Sequence, residues 1–409
     1  MDIKLKIGKR TLTFNSMKMN TIKIINGTIV SNGESFKGNI ILKDGIIDYV
    51  GMEDMEVPED AHVIDADGLY VSPGFIDMHT HGAGGADFMD GTVDAYLTAA
   101  RMHAMHGSTL IYPTTLTSTN DELFASFETY VEADRKNKDG AAFGGMHLEG
   151  PYFSPVYAGA QDPRYLRNPK ADEYLEILDR CPKLARWSFA PELEGAKEFA
   201  EELKKRGIVA SIGHTDATFQ DCDAAFKAGA SLMTHFYSCM STVSRRNAFR
   251  YAGTIEYGYI QDGMDIEIIA DGIHVPKDLL HLLLKIKGTD RISLVTDSMR
   301  AAGMPEGPSI LGSLADGQEV IVEDGVAKLM DRTSFAGSVA TADRLVRTMV
   351  NIAGCSLADA VRMITENPSR IMGISDKKGS LKVGMDADVV IFDDDVNIKN
   401  TIVAGKIIF

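Results

Sequence analysis

Positive charge is in short supply in this chain of 409 residues: 42 lysines and arginines face 58 aspartates and glutamates, a formal net charge of −16. The long-range field of such a surface repels nucleic acid and anionic membrane, so neither is expected as a partner. An acidic protein can still take an anionic small molecule if its site gathers cations locally. Cysteine is scarce too. Cys181, Cys222, Cys239 and Cys355 stand far apart without a C-x-x-C pair, and they read as reduced cytosolic thiols rather than a disulfide framework. No apolar run is long enough to span a bilayer and no signal-peptide pattern is present, so a cytoplasmic location is expected.

The apolar and charged fractions, 44% and 24%, are those of an ordinary globular protein. The length suits a barrel of about 250 residues plus a smaller domain. Residues 2–14 alternate apolar and charged side chains, the period of a half-buried strand, and are expected as an extra edge strand or an extension; Met17 and Met19 allow a later translation start. From Thr21 to Asp67, short β-rich runs are punctuated by Asn26-Gly27, Asn32-Gly33 and Asp44-Gly45, the pattern of a small β-sandwich. His62 falls here and is expected to be a structural or surface histidine.

From Leu69 the rhythm becomes strand then helix. Candidate strands are Val71–Met78, Thr109–Thr115, Ala142–Leu148, Arg186–Ala190, Val209–Gly213, Leu232–Thr234, Asp265–Ala270 and Arg291–Thr296. Amphipathic stretches lie between most of them, and residues 341–353 and 357–366 complete an outer ring. Eight such units predict a closed, TIM-like (β/α)8 barrel. After Gly379 the chain returns to short β-segments. The expected organisation is an α/β protein with a barrel over residues 71–378 and a β-sandwich built from residues 1–70 and 379–409.

The stretch V-S-P-G-F-I-D-M-H-T-H-G, residues 71–82, carries the most chemistry. Residues i and i+2 of a strand point to the same side, about 7 Å apart, so His79 and His81 can converge on one cation. Two surface histidines on a turn would read the same, and the rest of the chain decides between them. In a barrel, catalytic groups sit at the C-terminal strand ends. Those ends here carry His79 and His81, His147 and Glu149, His214, His235, Asp271 with His274, and Asp297. Three histidine or carboxylate ligands with an open position describe a catalytic divalent site. Glu149, His214 and His235 supply one such set. His79 and His81 are then expected to hold a second cation with Glu149 bridging, and Asp297 to act as the acid/base. Asp77, just before the pair, is expected either to orient a ligand imidazole or to be a buried structural aspartate.

These runs, together with G-M-H-L-E-G-P-Y (145–152), S-I-G-H-T-D-A-T (211–218), T-H-F-Y-S-C-M (234–240), A-D-G-I-H-V (270–275) and V-T-D-S-M (295–299), resemble the amidohydrolase superfamily, and within it the N-acetylglucosamine-6-phosphate deacetylases. The resemblance covers residues 22–409. It implies hydrolysis of the acetamide of an amino-sugar phosphate, one or two divalent cations (zinc, iron or manganese), and His274 as a substrate contact. Members without the H-x-H histidines work with one metal; both are present here, which implies a binuclear site. No lysine stands where the superfamily often places a carboxylated lysine, and Glu149 takes that role. Ser238 and Cys239 occupy the places of the family's substrate-contacting asparagine and its neighbour, and Gln161 stands where some members put a histidine on the substrate. No G-x-x-x-x-G-K-[ST] loop is present, so separate donors must meet the phosphate. By its position after His235, Arg246 matches the family arginine that reaches the phosphate from a neighbouring subunit, which implies a homodimer; Arg245 and Arg250 read as solvated. The alternatives are a deacetylase of N-acetylgalactosamine 6-phosphate or another N-acyl amino sugar, and a non-catalytic assembly protein on the same fold.

Overall fold

The computed structural model describes residues 21–409 and the backbone of 3–7 and 10–14; the side chains of those two segments and of Arg246 lie outside the described set. The alternating run near the start is two strands rather than one edge strand: Ile3–Ile7 and Arg10–Phe14 pair antiparallel as a sheet of their own.

The barrel strands are Phe75–Thr80, Ser108–Thr115, Met146–Glu149, Leu184–Phe189, Val209–Ile212, Leu232–Met233, Asp265–Ile268 and Ile292–Leu294, each parallel to the next. The ring closes through backbone bonds from Asp297 N–H to His79 O at 2.9 Å and from His81 N–H to Ser298 O at 2.8 Å. Helices cover the outer face, so the strands are buried on both sides, which is why they read as nearly continuous apolar runs. Side-chain caps fix where several helices begin. Thr119 with Glu122 starts Asn120–Lys136, and Thr218 with Asp221 starts Phe219–Ala228, each a reciprocal capping box. The helix Ala171–Arg180 places Tyr174 against Phe199 of the next helix, Ala196–Lys205, with ring centroids 5.2 Å apart, and Phe199 in turn meets Trp187 edge-on at 4.9 Å.

Two expected strands are divided in the structure. Val71–Met78 is cut at Gly74: Tyr70–Pro73 belongs to the mixed sheet and Phe75–Thr80 to the barrel. A Cβ at Gly74 would lie 2.0 Å from Thr109 Oγ1, so only glycine lets the chain cross from one sheet to the other there. The expected strand at 142–148 is likewise split by Gly144-Gly145 into Ala142–Phe143 and Met146–Glu149.

Both ends of the described chain meet in one eight-stranded mixed sheet. Tyr70–Pro73 is its hinge piece, flanked by Thr21–Ser31 on one side and Val389–Phe392 on the other. Thr21–Ser31 also pairs with His62–Asp65 along its first half. His62 is exposed on that strand. The sheet closes around an aliphatic core of Ile22, Ile24, Ile29, Ile40, Ile47, Val71, Val389, Ile391 and Ile402, with Leu42, Ala66, Leu381, Met385 and Ala387. One element lies outside the sequence expectation altogether. After the last barrel strand, Gly307–Leu311, Gln318–Glu323 and Val326–Leu329 form a three-stranded antiparallel sheet beside the barrel mouth. Among the described residues no helix is long and apolar enough to cross a membrane, and all four cysteines are free.

Candidate active site

Four imidazoles arrive at the barrel mouth on three strand ends, and all of them turn Nε2 toward the same space. Burial is nearly complete for His79, His81, His214 and His235. Glu149 stands among them. Its Oε1 is 3.0 Å from His235 Nε2, 3.4 Å from His214 Nε2 and 3.5 Å from His79 Nε2, and its Oε2 is 3.2 Å from His81 Nε2. Asp297 Oδ1 closes the cluster at 3.2 Å from His81 Nε2 and 3.4 Å from His79 Nε2. Two sets of donors lie close enough for a metal ion, His79/His81/Glu149 and Glu149/His214/His235. The sequence expectation named both.

The atom behind the His214 ring shows which of its nitrogens faces inward. His214 Nδ1 donates to the carbonyl of Tyr157 at 2.9 Å, leaving Nε2 with its lone pair. His214 Nε2 and His235 Nε2 then face each other at 3.1 Å beside a carboxylate oxygen. Ligand atoms about 2.0–2.1 Å from one cation stand roughly 3.0–3.4 Å apart, so this triangle has the dimensions of a coordination shell. His79 Nε2 is buried with no hydrogen-bond partner, as a donor meant for a cation would be. The donor set fits a divalent metal.

Electrostatics agree. Burial disfavours charge on both rings of the H-x-H pair, yet the carboxylates Asp297, Glu267 and Glu149 push His79 up to about 9. Hydrogen bonds to Asp297 and Glu149 take His81 up to about 10. Glu149 and Asp297 are in turn held below the usual carboxylate range, the surrounding histidines outweighing burial. Without a metal the cluster draws protons; its field asks for positive charge.

Three of these residues sit on strained backbone. His214, His235 and Asp297 have φ of 48°, 28° and 46°, the left-handed region that non-glycine residues avoid. Each follows the last residues of a barrel strand, where a left-handed step turns the side chain inward over the lumen. Strain of this kind persists when the surroundings over-determine it, and it gathers at functional sites.

A cavity of about 220 Å³ opens on the cluster, lined by His81, Glu149, Gln161, Ser238, Cys239, His274 and Asp297 among others. Leu311 and Phe335 complete its wall from the inserted sheet and the loop after it, a contribution the sequence reading missed. A second space of about 860 Å³ shares Leu116, Ala160, Gln161 and Leu311 with it. His274 is held by Asp271, Nδ1 to Oδ2 at 2.8 Å, with its ring against Phe335. Gln161 lines the cavity but commits both ends of its amide: Nε2 donates to Glu149 Oε2 at 2.7 Å and Oε1 accepts from Thr117 N–H at 2.9 Å. Gly159, at φ 59°, lets the loop after the third strand pass over Cys239, whose Sγ a Cβ would approach to 2.5 Å. Arg246 ends the short hairpin strand Ser244–Arg246, paired with Phe249–Tyr251. Arg245 and Arg250 are exposed on that hairpin.

Asp77 does not orient an imidazole. Its carboxylate accepts from Thr296 Oγ1, from Thr296 N–H and from His79 N–H, fastening the first strand to the last. The residue on the imidazole is Glu267, whose Oε1 is 2.8 Å from His79 Nδ1. His147, on the lumen side beneath Glu149, bonds Ser188 and Thr114 and takes no part in the cluster of inward-facing Nε2 atoms. A carboxylate in the middle of a parallel strand, D-I-E-I, and an arginine in another, L-A-R-W-S-F, were the available signals for Glu267 and Arg186, since buried charges must be paired.

Residues 70–408 match the amidohydrolase family. Similar proteins include the N-acetylglucosamine-6-phosphate deacetylase of Bacillus subtilis (strain 168), 34% identical over 93% of this chain and 95% of that protein. The N-acetylgalactosamine-6-phosphate deacetylase of Escherichia coli O157:H7 is 32% identical over 86% of this chain and 90% of its own length. Among solved structures, the N-acetyl-D-glucosamine-6-phosphate deacetylase of Mycobacterium smegmatis, a mutant in complex with N-acetyl-D-glucosamine-6-phosphate, superposes with a TM-score of 0.85 at 30% identity, covering 95% of this chain and 99% of that one. With its barrel, its strand-end ligands and these likenesses, the chain belongs to the amidohydrolase family, within the group that these deacetylases form.

Proposed function

We propose that the protein hydrolyses the acetamide of N-acetyl-D-glucosamine 6-phosphate to D-glucosamine 6-phosphate and acetate, in amino-sugar catabolism in the cytoplasm. The observation that carries this reading is the convergence of His79, His81, His214 and His235 on Glu149, with Asp297 alongside, in the mouth of a barrel similar end to end to deacetylases of that name. Glu149, His214 and His235 would hold one divalent cation, and His79, His81 and Glu149 would supply the donors for a second; zinc, iron and manganese all accept this donor set. Such a cation acidifies water and polarises a carbonyl oxygen. Asp297, kept ionised by its histidine neighbours despite burial, takes the proton of the attacking water and returns it to the departing amine nitrogen. Gln161 steadies Glu149, and its place on the cavity wall leaves it beside the bound sugar. Ser238 and Cys239 line the sugar side. Burying the cluster excludes bulk water, which strengthens each of these interactions.

His274 and Arg246 meet the phosphate, the arginine from the partner in a homodimer, where its fork can make two charge-assisted bonds to phosphate oxygens. Phe249, 72% exposed beside it on the hairpin, supports a contact surface there. Arg246→Ala is expected to raise KM for the phosphorylated substrate strongly while leaving weak activity on unphosphorylated N-acetylglucosamine nearly unchanged. Equal loss on both substrates, or a fully active monomer, would remove Arg246 from this role.

The test of the reaction is acetate release from a panel of N-acetylated sugar phosphates, with and without chelator. Activity on N-acetylglucosamine 6-phosphate that chelator abolishes is the expected result, and no acetate from any member of the panel would sink the reading. Ser238, in place of the family's asparagine, makes N-acetylgalactosamine 6-phosphate the comparison to include.

A further inference from the structure

The barrel lumen beneath the cluster holds a second ion pair that the reaction itself does not call on. Glu267 and Arg186 are both fully buried. Glu267 Oε2 accepts from Arg186 Nη1, while Oε1 takes two bonds at once, from His79 Nδ1 at 2.8 Å and from the His235 backbone N–H at 2.8 Å. Arg186 spends its other donors on Thr234 Oγ1 at 3.0 Å, Ser211 Oγ at 3.2 Å and the Met78 carbonyl at 3.3 Å. Two of those residues, Met78 and Thr234, immediately precede His79 and His235. The fourth strand brings no residue to the cluster of Nε2 atoms, and its one charged side chain is turned into the lumen.

We propose that Glu267, through its contact with His79 Nδ1, is the positioning residue that makes the His79/His81 side of the cluster a metal site. An ionised carboxylate can only accept, so the proton of a neutral His79 is fixed on Nδ1 and the Nε2 lone pair is aimed at Glu149 and Asp297. The same oxygen also accepts from the His235 backbone N–H, a bond that the amide oxygen of a glutamine can still accept. A neutral group in place of the carboxylate would leave the ring free to take the other tautomer and present an N–H to the cation. Arg186 partners the other carboxylate oxygen, so that the buried Glu267 is not left with an unpaired charge.

The inference rests on the reading that two cations bind, so metal content of the wild-type protein comes first: two per chain is expected, and one would overturn that reading and this proposal together. The test variant is Glu267→Gln with Arg186→Met, which removes the pair without stranding either charge. Cobalt titration followed by visible absorption is expected to show the first equivalent bound much as in wild type, and the second weakened by about 10- to 100-fold. Adding the same changes to His79→Asn should cost nothing further at the second equivalent. Unchanged second-site affinity, or equal loss at both sites, would overturn the positioning role while leaving the two-cation reading standing. If the double variant does not fold, the zinc-loaded wild-type protein decides: a long-range proton–nitrogen spectrum of its histidine rings, with His79 assigned by the signal missing in His79→Asn, must show the Nδ1–H tautomer, and an Nε2–H tautomer refutes the proposal.

Discussion

The mixed sheet and the barrel mouth are both dry, and they are filled in opposite ways. The sheet encloses isoleucine, valine and leucine, and its one buried carboxylate near them, Asp388 just before Val389–Phe392, is paired with Lys378. The mouth encloses Asp77, His79, His81, Glu149, Arg186, His214, His235, Glu267 and Asp297, each with less than a tenth of its surface exposed. Burying aliphatic groups is favourable wherever they fit, at about 25 cal/mol per Å². Burying charge is unfavourable unless every group is partnered. The sheet therefore contributes stability, and the mouth is a region whose cost the rest of the fold must offset.

That contrast can be broken at the mouth first. Asp297→Asn keeps the shape and removes the proton acceptor, so turnover should fall by about 10²- to 10⁴-fold with metal content and melting temperature close to wild type. Steady-state rates beside metal analysis check it, and near-normal turnover would take Asp297 out of the mechanism. The opposite outcome is expected in the sheet. Ile391 is fully buried, and Ile391→Ala should cost about 2–5 kcal/mol of stability while the folded fraction keeps its metal and its turnover. Urea unfolding and kcat per folded molecule separate the two effects; a fall in kcat as large as that in stability would mean the regions are not independent.

A smaller effect lies between them, where the helix Val93–Met105 packs behind the H-x-H strand. His103 is buried, with Nε2 2.9 Å from Thr80 Oγ1, and burial together with the nearby His106 pushes it down to about 3. Its folded form thus stays neutral where an unfolded histidine, near 6.5, is already charged. The unfolded state binds more protons between those values, so stability is full above pH 6.5 and falls as the pH drops toward 3. At pH 5 the loss from this one group is about 2 kcal/mol. His103→Gln should flatten the pH dependence of the urea midpoint between pH 7 and 5 relative to wild type. Identical slopes would refute the assignment.

How much of this was legible in the sequence follows from the same contrast. Glycine turns and β-rich runs marked the sheet, and histidines placed one after another at strand ends marked the mouth, because both are local patterns. Glu267 and Arg186 were not legible as partners, since nothing local joins residues 81 apart in the chain. For Asp77 the sequence leaves two roles open, orienting an imidazole or a buried structural aspartate, and the structure shows the second, its carboxylate bonded to Thr296. The inserted sheet escaped because its strands carry mixed, partly exposed side chains such as Gln318–Glu323 rather than a buried run. Gly74 hid a boundary: on either side of it the residues are equally apolar, and only the approach of Thr109 shows that two sheets meet there.

That meeting point has a consequence for how the protein is made. Tyr70–Pro73 pairs with Val389–Phe392, and Gly74 N–H bonds the Asp388 carbonyl at 2.9 Å, so the strand that feeds the H-x-H pair is pinned by residues translated long after it. While the ribosome is still adding the barrel, Val71 faces water and the first strand has a partner on one side only. Pairing between segments so distant in the chain comes late in folding, and the incomplete sheet leaves an aliphatic edge for chaperones to hold. The seat of His79 and His81 is thus completed only once residues 388–392 are in place, whatever the order in which the ligands themselves are made.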